Sequence, residues 1–132
     1  MSLLIDTSII IDIEQHNSKT LEKLKELSET HPFPAGVSFI TYFEFIHGLR
    51  ERSPKNKDRA MGLIEIFHFL EPTKNTAIIL SDIKHKYGKL GKSFSLSDLI
   101  IASQAIENNM ILVTKDRHFQ EIEELKKIIV NS

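Results

Sequence analysis

The chain contains short apolar runs that are separated from one another by segments with the spacing of amphipathic helices. The clearest run is Met110–Val113, and Leu3–Ile5 and Gly36–Ile40 have the same character. Short apolar runs of this kind predict buried strands, and helices between successive strands favour parallel pairing with both sheet faces covered. We therefore predict an α/β fold with three layers, α/β/α, around a mainly parallel sheet of about four to five strands.

Two weaker apolar runs predict the remaining strands of the sheet. Cap and turn residues between the strands predict where the helices begin and end. The weaker strands are expected at His68–Pro72 and Ile128–Val130. A helix is expected to begin at Thr41, after the second strand, and to end at about Arg52, before a Ser-Pro pair. Helices therefore lie between the predicted strands, as a parallel sheet requires.

The length and composition fit one domain of moderate size. The chain has 132 residues, of which 41% are hydrophobic, so it can bury a core of its own. Its 17 Lys and Arg against 18 Asp and Glu give a net charge of -1, which argues against a purely electrostatic nucleic-acid binder. A nuclease is still compatible with this charge, since bound cations set part of the local field.

The composition also bears on the compartment. The chain has no Cys, which excludes disulfides and thiolate metal sites and fits a reducing cytosol. No apolar run approaches the roughly 20 residues needed to span a bilayer, and the N-terminal residues lack the basic region of a signal peptide. We therefore expect a cytoplasmic protein with no membrane association.

Four acidic residues stand where a parallel sheet would bring them together. Asp6 follows the first predicted strand and Asp116 follows the fourth. Glu44 lies on the helix entered from the second strand. Asp98 is expected in the first turn of a helix capped by Ser97. Parallel sheets place their ligand sites at the carboxyl ends of the strands, so these side chains are expected to share one crevice.

Carboxylates gathered in one crevice repel one another unless a cation lies between them. Mg²⁺ and Mn²⁺ are the natural ions for an all-oxygen site, and Mg²⁺ takes only one or two carboxylates directly. We expect Asp6 and Asp116 to be direct ligands, because residues at strand ends are held rigidly. Glu44 and Asp98 would then bind a second ion or orient its waters. Such ions can activate water and polarise a phosphate group.

Each acid also has a structural interpretation of its own. Asp6 could serve only as a helix cap, Asp98 could complement a helix dipole and Asp116 could be a turn residue. Glu44 is harder to explain in this way, because it stands between two phenylalanines on an otherwise apolar helix. The functional interpretation therefore depends on the four residues as a set.

The other polar residues give weaker signals. The six histidines show no metal-ligand spacing such as H-E-x-x-H. Several acidic residues are expected to be solvated, namely Asp12, Glu14, Asp82 and the run Glu121, Glu123 and Glu124. A group of basic residues is interpreted first as a solvated face and second as a phosphate contact: Lys84, His85, Lys86, Lys89 and Lys92. Arg50 and Arg52 are the preferred candidates for contact with RNA.

Four short motifs in this order resemble those of PIN-domain proteins, in particular the VapC-like toxins of prokaryotic toxin–antitoxin systems. The first is the opening apolar strand with Asp6-Thr7-Ser8, and the second consists of Ser38, Thr41, Glu44 and Gly48. The third is Asp98 with Ile101, Ala102 and Ala105. The fourth is Leu112-Val113-Thr114 with Asp116 and Phe119. The resemblance spans essentially the whole chain, residues 1–132, as a single PIN-like nuclease domain.

This resemblance implies a specific activity and specific partners. It implies an endoribonuclease that depends on Mg²⁺ or Mn²⁺, with Asp6, Glu44, Asp98 and Asp116 as its acidic site. Thr114 and Ser8 match supporting hydroxyl positions that would orient carboxylates or water. The resemblance further implies a homodimer, an RNA substrate and a small antitoxin protein that blocks the site. Two departures from the pattern are Phe45, where Leu is usual, and Asn109, where Gly is common.

Two other functions remain open from the residues alone. An Asp-nucleophile phosphatase would use Asp6, but that chemistry requires a second acid two residues later, where this chain has Ser8. A non-catalytic binding module of the phospho-receiver type would use the same acidic pocket with a lysine after the last strand. Lys115 is the only loose candidate for that lysine.

Overall fold

The computed structural model describes residues 1–131. Five short strands are present: β1 Leu3–Ile5, β2 Gly36–Ser38, β3 His68–Leu70, β4 Ile111–Thr114 and β5 Lys127–Ile129. Six α-helices accompany them: α1 Thr7–Glu14, α2 Ser18–Ser28, α3 Phe39–Gly48, α4 Pro54–Ile64, α5 Lys74–Lys89 and α6 Leu96–Glu107. A 3₁₀ helix, Arg117–Glu121, stands between β4 and β5. Within residues 1–131, none of the helices has the length and apolar character needed to cross a membrane.

All five strands pair in parallel, in the order β3-β2-β1-β4-β5. Side chains alternate along β1, where Leu3 and Ile5 join a core with α1 to α4, and Leu4 joins a second core with α5 and α6. The sheet is therefore covered by helices on both faces, and the predicted three-layer α/β/α class is confirmed.

The order of the strands reverses between β1 and β4. The connections from β1 through β2 to β3 run along one face, and the connection from β3 to β4 returns by α5 and α6 on the other. Ile5 is in register with Val113, and the Asp6 amide donates to the Val113 carbonyl oxygen at 3.3 Å. Open α/β sheets bind their ligands at such a reversal, at the carboxyl ends of the strands.

The helix after β2 begins earlier than the sequence predicts. Ser38 is its N-cap, and the Ser38 hydroxyl accepts a hydrogen bond from the Thr41 amide at 3.1 Å. The strand therefore ends at Ser38 rather than Ile40, and α3 ends at Gly48 rather than about Arg52. An N-cap serine binds the amide three residues later, so Thr41 lies inside the first turn and does not open the helix.

The cap of α6 was also misplaced by the prediction. Ser95, not Ser97, is the N-cap, and its hydroxyl accepts from the Asp98 amide at 3.1 Å. Both serines precede the apolar run, and only the backbone distinguishes them, because Ser95 has the extended conformation that a cap requires. Asp98 still falls in the first turn of the helix, as expected.

The fold accommodates both departures from the family pattern. Phe45 is buried in the core formed with α1 to α4. Asn109 follows the end of α6 and has a φ of 53°, in the left-handed region that Asn tolerates better than most residues. Asn109 can therefore replace the usual Gly at the turn from α6 into β4.

Candidate active site

Asp6 lies at the end of β1 and caps α1. Its Oδ1 accepts hydrogen bonds from the Ser8 hydroxyl at 2.6 Å and from the Ile9 amide at 3.3 Å, and its Oδ2 accepts from the Thr114 hydroxyl. The side chain is 5% exposed. Burial raises the pKa of Asp6, although the hydrogen bonds from Ser8, Thr114 and the backbone oppose this effect. The cap interpretation of Asp6 is thus correct, and it does not exclude a site.

Ser8 and Thr114 tie the turn after β1 to the loop after β4. The Thr114 hydroxyl accepts from the Asp116 amide at 3.0 Å, and the Ser8 hydroxyl accepts from the Lys115 amide at 3.3 Å. Each hydroxyl therefore donates to Asp6 and accepts from the β4 loop. Through these bonds, Ser8 and Thr114 hold the backbone amides of Lys115 and Asp116 in a fixed position next to the Asp6 carboxylate.

Asp98 and Asp116 influence each other electrostatically. Asp98 is half-buried, and burial is the main reason that its pKa is raised. The negative charge of Asp116 raises the pKa further, while the Ser95 hydrogen bond and His118 lower it. Asp116 is exposed, and its Oδ1 accepts from the His118 amide at 2.9 Å at the start of the 3₁₀ helix.

Glu44 contacts the same turn from a different helix. The Thr7 hydroxyl donates to Glu44 Oε1 at 3.3 Å, and Thr7 directly follows Asp6. Glu44 is half-buried on α3, between the exposed Phe43 and the buried Phe45. The structure thus brings Glu44 to the β1 turn, and Asp98 to the vicinity of Asp116.

In the described part of the chain, no Lys or Arg forms an ion pair with any of these four acids. Within residues 1–131, neither Lys nor Arg lies within 4.0 Å of Asp6, Glu44, Asp98 or Asp116. The lysine nearest in sequence, Lys115, turns away and binds a different carboxylate. Apart from the effect of His118 on Asp98, the buried Asp6 and the mutually repelling Asp98 and Asp116 therefore have no positive partner among the described residues.

Lys115 binds Asp12, which the sequence analysis wrongly interpreted as solvated. The Lys115 ammonium lies 3.0 Å from Asp12 Oδ2, and the Thr20 hydroxyl donates to the same oxygen at 2.6 Å. Asp12 is 6% exposed. Burial opposes its ionisation, but the bonds from Thr20 and Lys115 together outweigh burial and lower its pKa.

The donor set of the four acids fits a hard divalent cation. All four groups offer carboxylate oxygens, which are the ligands that Mg²⁺ and Mn²⁺ prefer. Across residues 1–131, no three His, Cys, Asp or Glu side chains are close enough to hold one ion by direct bonds alone. Mg²⁺ keeps several waters and takes one or two carboxylates, so this spacing is compatible with an ion held partly through water.

Comparison with known proteins decides the family. The model of the PIN domain matches residues 3–125 of this chain. The chain belongs to the PIN-domain family. A curated relative, Ribonuclease VapC1 of Methanocaldococcus jannaschii, is 30% identical over 124 residues, which cover 92% of this chain and 82% of the relative.

Solved structures agree with this assignment. VapBC-1 from nontypeable Haemophilus influenzae matches with a TM-score of 0.84 and 28% identity, covering 98% of each chain. VapBC2 from Rickettsia felis, solved bound to a DNA fragment from its promoter, matches with a TM-score of 0.86 and 20% identity, again over 98% of each chain. The predicted resemblance to VapC-like PIN domains is confirmed.

Other residues of this PIN domain differ from the sequence-based expectations. Glu14 is not simply solvated, because the Arg52 guanidinium donates to both of its carboxylate oxygens. Arg52 is therefore engaged in an ion pair, which makes it a weaker candidate for contact with RNA. Glu124, expected at an exposed helix end, accepts from the Tyr87 hydroxyl at 2.6 Å and from Lys86 at 3.0 Å.

Three contacts of the PIN-domain site were not foreseen from the sequence. They are the bond from Thr7 to Glu44, the pair of Lys115 with Asp12, and the position of His118 beside Asp98 and Asp116. Asp12 did carry a signal, since it interrupts a run of isoleucines on a helix that must be buried. The assignment of the four acids to a metal site stays a prediction.

Proposed function

We propose that this PIN domain is an endoribonuclease that hydrolyses RNA phosphodiester bonds with water, dependent on Mg²⁺ or Mn²⁺. The observation that carries the proposal is the buried Asp6, held by Ser8 and Thr114 where the strand order reverses and free of any Lys or Arg partner among the described residues. The relatives named Ribonuclease VapC1 support the nuclease activity. We further propose that the chain is the toxin of a toxin–antitoxin pair.

Asp6 and Asp116 would hold the ion, and Glu44 and Asp98 would bind a second one or orient its waters. Oδ1 of Asp6 already accepts two hydrogen bonds, from Ser8 and the Ile9 amide, but Oδ2 accepts only the bond from Thr114 and has a further lone pair to offer. A bound divalent ion supplies a water of lowered pKa and neutralises charge on the phosphate. The burial of Asp6 and its two hydroxyl partners keep the carboxylate in one orientation.

Asp98 is proposed to accept the proton of the attacking water, because it is half-buried and is not assigned as a direct ligand of the first ion. A general base works best when its pKa lies near the working pH, and the pKa of Asp98 is raised by burial and by Asp116. The water oxygen forms a bond to phosphorus, its proton passes to Asp98, and the bond from phosphorus to the leaving ribose oxygen breaks. Because water is the nucleophile, no 2′,3′-cyclic phosphate is formed.

The partner of the toxin is proposed to be a small antitoxin protein that covers the acidic site. The VapBC complexes among the structural neighbours support such a partner. The domain also exposes large apolar side chains, Phe39 and Phe43 on α3 and Ile66 before β3, which suit a protein interface. A homodimer and a cytoplasmic location are part of the same proposal.

The phosphatase alternative is weaker on structural grounds. A nucleophilic aspartate must present a free oxygen to the phosphorus atom, but Asp6 is buried and both of its oxygens accept hydrogen bonds. Ser8, where a general acid would stand, donates to Asp6. No contact in the described residues favours the phospho-receiver alternative, since Lys115 is bound to Asp12.

The proposal is tested by incubating the purified protein with total RNA in Mg²⁺ or in EDTA and analysing the product ends. We expect cleavage only with Mg²⁺, and products without cyclic phosphate. Asp6→Asn should abolish cleavage, whereas Asp58→Asn, at an exposed position on α4, should not affect it. Equal cleavage in EDTA, or cyclic phosphate ends, would overturn the proposed mechanism.

A further inference from the structure

A basic cleft runs along the outer face of α5. Its volume is 510 Å³, and its lining consists of Ser81, Lys84, His85, Gly88 and Lys89. Residues spaced by three and four positions lie on one side of a helix, so this lining is a continuous stripe of α5. The sequence analysis interpreted these residues first as a solvated face, and the structure confirms that they are exposed, with a shallow, open depression between their side chains.

A second cleft continues from the first towards the acidic site. It has a volume of 340 Å³, shares Lys84 and Gly88 with the first cleft, and extends past Lys92 to Phe94 and Leu99. Leu99 directly follows Asp98. The ring of Phe94 stacks on the ring of His118 at 4.5 Å between centroids, two residues after Asp116. The two clefts therefore adjoin at Lys84 and Gly88 and form one channel, which reaches Leu99, the sequence neighbour of Asp98, and Phe94, which stacks on His118.

The lining of this channel is positively charged, and two of its three lysines have no acidic partner among the described residues. No acidic residue lines either cleft. Lys86, which lies outside the lining, is bound by Glu123 and Glu124, and Lys92 is bound by Glu121. In the described part of the chain, Lys84 and Lys89 have no carboxylate within 4.0 Å. The ammonium groups of Lys84 and Lys89 are therefore available to bind a ligand in this depression.

We propose that this channel binds the ribose–phosphate backbone of single-stranded RNA and guides it along α5 into the site. This inference rests on the proposed ribonuclease function. Lys84 and Lys89 would contact phosphates, and the stacked pair of Phe94 and His118 would offer a surface for a base next to Asp98 and Asp116. Single-stranded nucleic acids bind to proteins through this combination of basic groove and aromatic ring. The far end of the channel, at the sequence neighbour of Asp98, favours RNA over an acidic protein segment, because an RNA held there leads towards the proposed catalytic acids.

The experiment measures binding of a fluorescein-labelled single-stranded RNA in EDTA by fluorescence anisotropy. We expect Lys84→Glu with Lys89→Glu to raise the Kd roughly tenfold or more at moderate salt, because two attractions become repulsions. The slope of log K against log salt should fall by roughly 0.7 for each phosphate contact that is lost. Lys74→Glu, at the other end of α5, is the matched control and should change the Kd little.

Gly88 allows the same test without removing any lysine. A Cβ at Gly88 would meet no atom within 4 Å, so side chains at this position point into the channel without disturbing the fold. Gly88→Glu should weaken RNA binding, and Gly88→Gln, which has the same size and no charge, should weaken it much less. Thermal unfolding of both variants shows that each is folded.

Three results would overturn the proposal. The first is an unchanged Kd and salt slope in the double lysine variant and in Gly88→Glu. The second is an equal loss of binding in Lys74→Glu, which would indicate attraction by general charge. The third is equal competition by poly-glutamate, which would assign the channel to an acidic protein. The ribonuclease proposal is tested separately, because cleavage is measured in its own assay with Mg²⁺. In the binding assay with EDTA, a gel shows that the RNA probe stays intact.

Discussion

The Thr114 hydroxyl donates a hydrogen bond to the Asp6 carboxylate and so joins the ends of β4 and β1 where the strand order reverses. Thr114 is fully buried, and the same hydroxyl accepts from the Asp116 amide. One side chain therefore orients the buried acid and the backbone of a second acid. The proposed metal site depends on this link between two strands that are far apart in sequence.

Replacing Thr114 by Val should reduce both stability and cleavage. The variant keeps the shape but leaves a buried Asp6 oxygen and the Asp116 amide without a partner, at a cost of about 1–3 kcal/mol each. Loss of this hydrogen bond should also raise the pKa of Asp6 further, since the bond lowers it. Urea denaturation and RNA cleavage rates check the prediction. Thr114→Ser, which keeps the hydroxyl, should retain most activity, and equal activity in the Val variant would contradict the role of Thr114.

The stability of Asp6→Asn relative to the wild type should depend on pH in the absence of divalent ions. Burial raises the pKa of Asp6 above its ordinary value of 3.8. As the pH rises from 3.8 through the native pKa, ionisation of Asp6 therefore lowers the free energy of unfolding of the wild type. The stability of Asp6→Asn relative to the wild type should increase over that window and then stay constant. Thermal unfolding across pH in EDTA measures it, and a difference that does not depend on pH would contradict the prediction.

Mg²⁺ should stabilise the wild type more than it stabilises Asp6→Asn. An ion that binds the native state raises its stability according to its concentration and affinity. The unfolding temperature of the wild type should therefore rise with added Mg²⁺, while that of Asp6→Asn should rise much less. Asp58→Asn serves as the control for non-specific effects of the salt. An equal rise in all three proteins would argue against an ion at Asp6.

The pair of Asp12 and Lys115 should be strongly coupled. Lys115→Met leaves a buried carboxylate without its cation, which typically costs about 3–5 kcal/mol, less here because Lys115 is partly exposed. Asp12→Asn in the same chain should recover part of this loss, giving a coupling free energy above about 1 kcal/mol in a double-mutant cycle. The exposed pair Lys23 and Glu26 is the matched control and should give about 0.5 kcal/mol or less.

Two serines of the α6 entry should behave differently when each is replaced by Ala. Ser95→Ala removes the N-cap and should cost about 1 kcal/mol, because the Asp98 amide loses its acceptor. The pKa of Asp98 should rise in this variant, since the contact with Ser95 lowers it. Ser97→Ala should leave both quantities nearly unchanged. Urea denaturation and a carbon-13 titration of the Asp98 carboxyl group distinguish the two, and a larger loss in Ser97→Ala would contradict the assigned cap.

The sequence predicted the layers and the strands, and it placed Asp6 and Asp116 after strands that the structure pairs side by side. This was possible because strand and helix periodicity are local, and because parallel strands bring their carboxyl ends together. The cap at Ser95 could not be distinguished from Ser97, since both serines precede the same apolar run and the backbone conformation decides between them. The ends of β2 and α3 were shifted for the same reason.

The contacts missed by the sequence analysis all join segments that are distant along the chain. Lys115 and Asp12 are 103 residues apart, so nothing in the local pattern indicates that they pair. Gln104 is another example, since it is buried between the Phe39 amide and the Leu70 carbonyl oxygen on a helix interpreted only by its apolar face. Such polar contacts are determined by tertiary packing, which a linear pattern does not describe.

The most direct test of the account is the single-turnover cleavage rate of an end-labelled RNA as a function of free Mg²⁺. We predict a rate indistinguishable from background without Mg²⁺ that rises to saturation as Mg²⁺ is added, and a rate that stays at background throughout for Asp6→Asn and Asp98→Asn. A wild-type rate that does not depend on Mg²⁺, or an Asp6→Asn rate that follows the wild-type curve, would contradict the assignment of these carboxylates to a metal-dependent ribonuclease site.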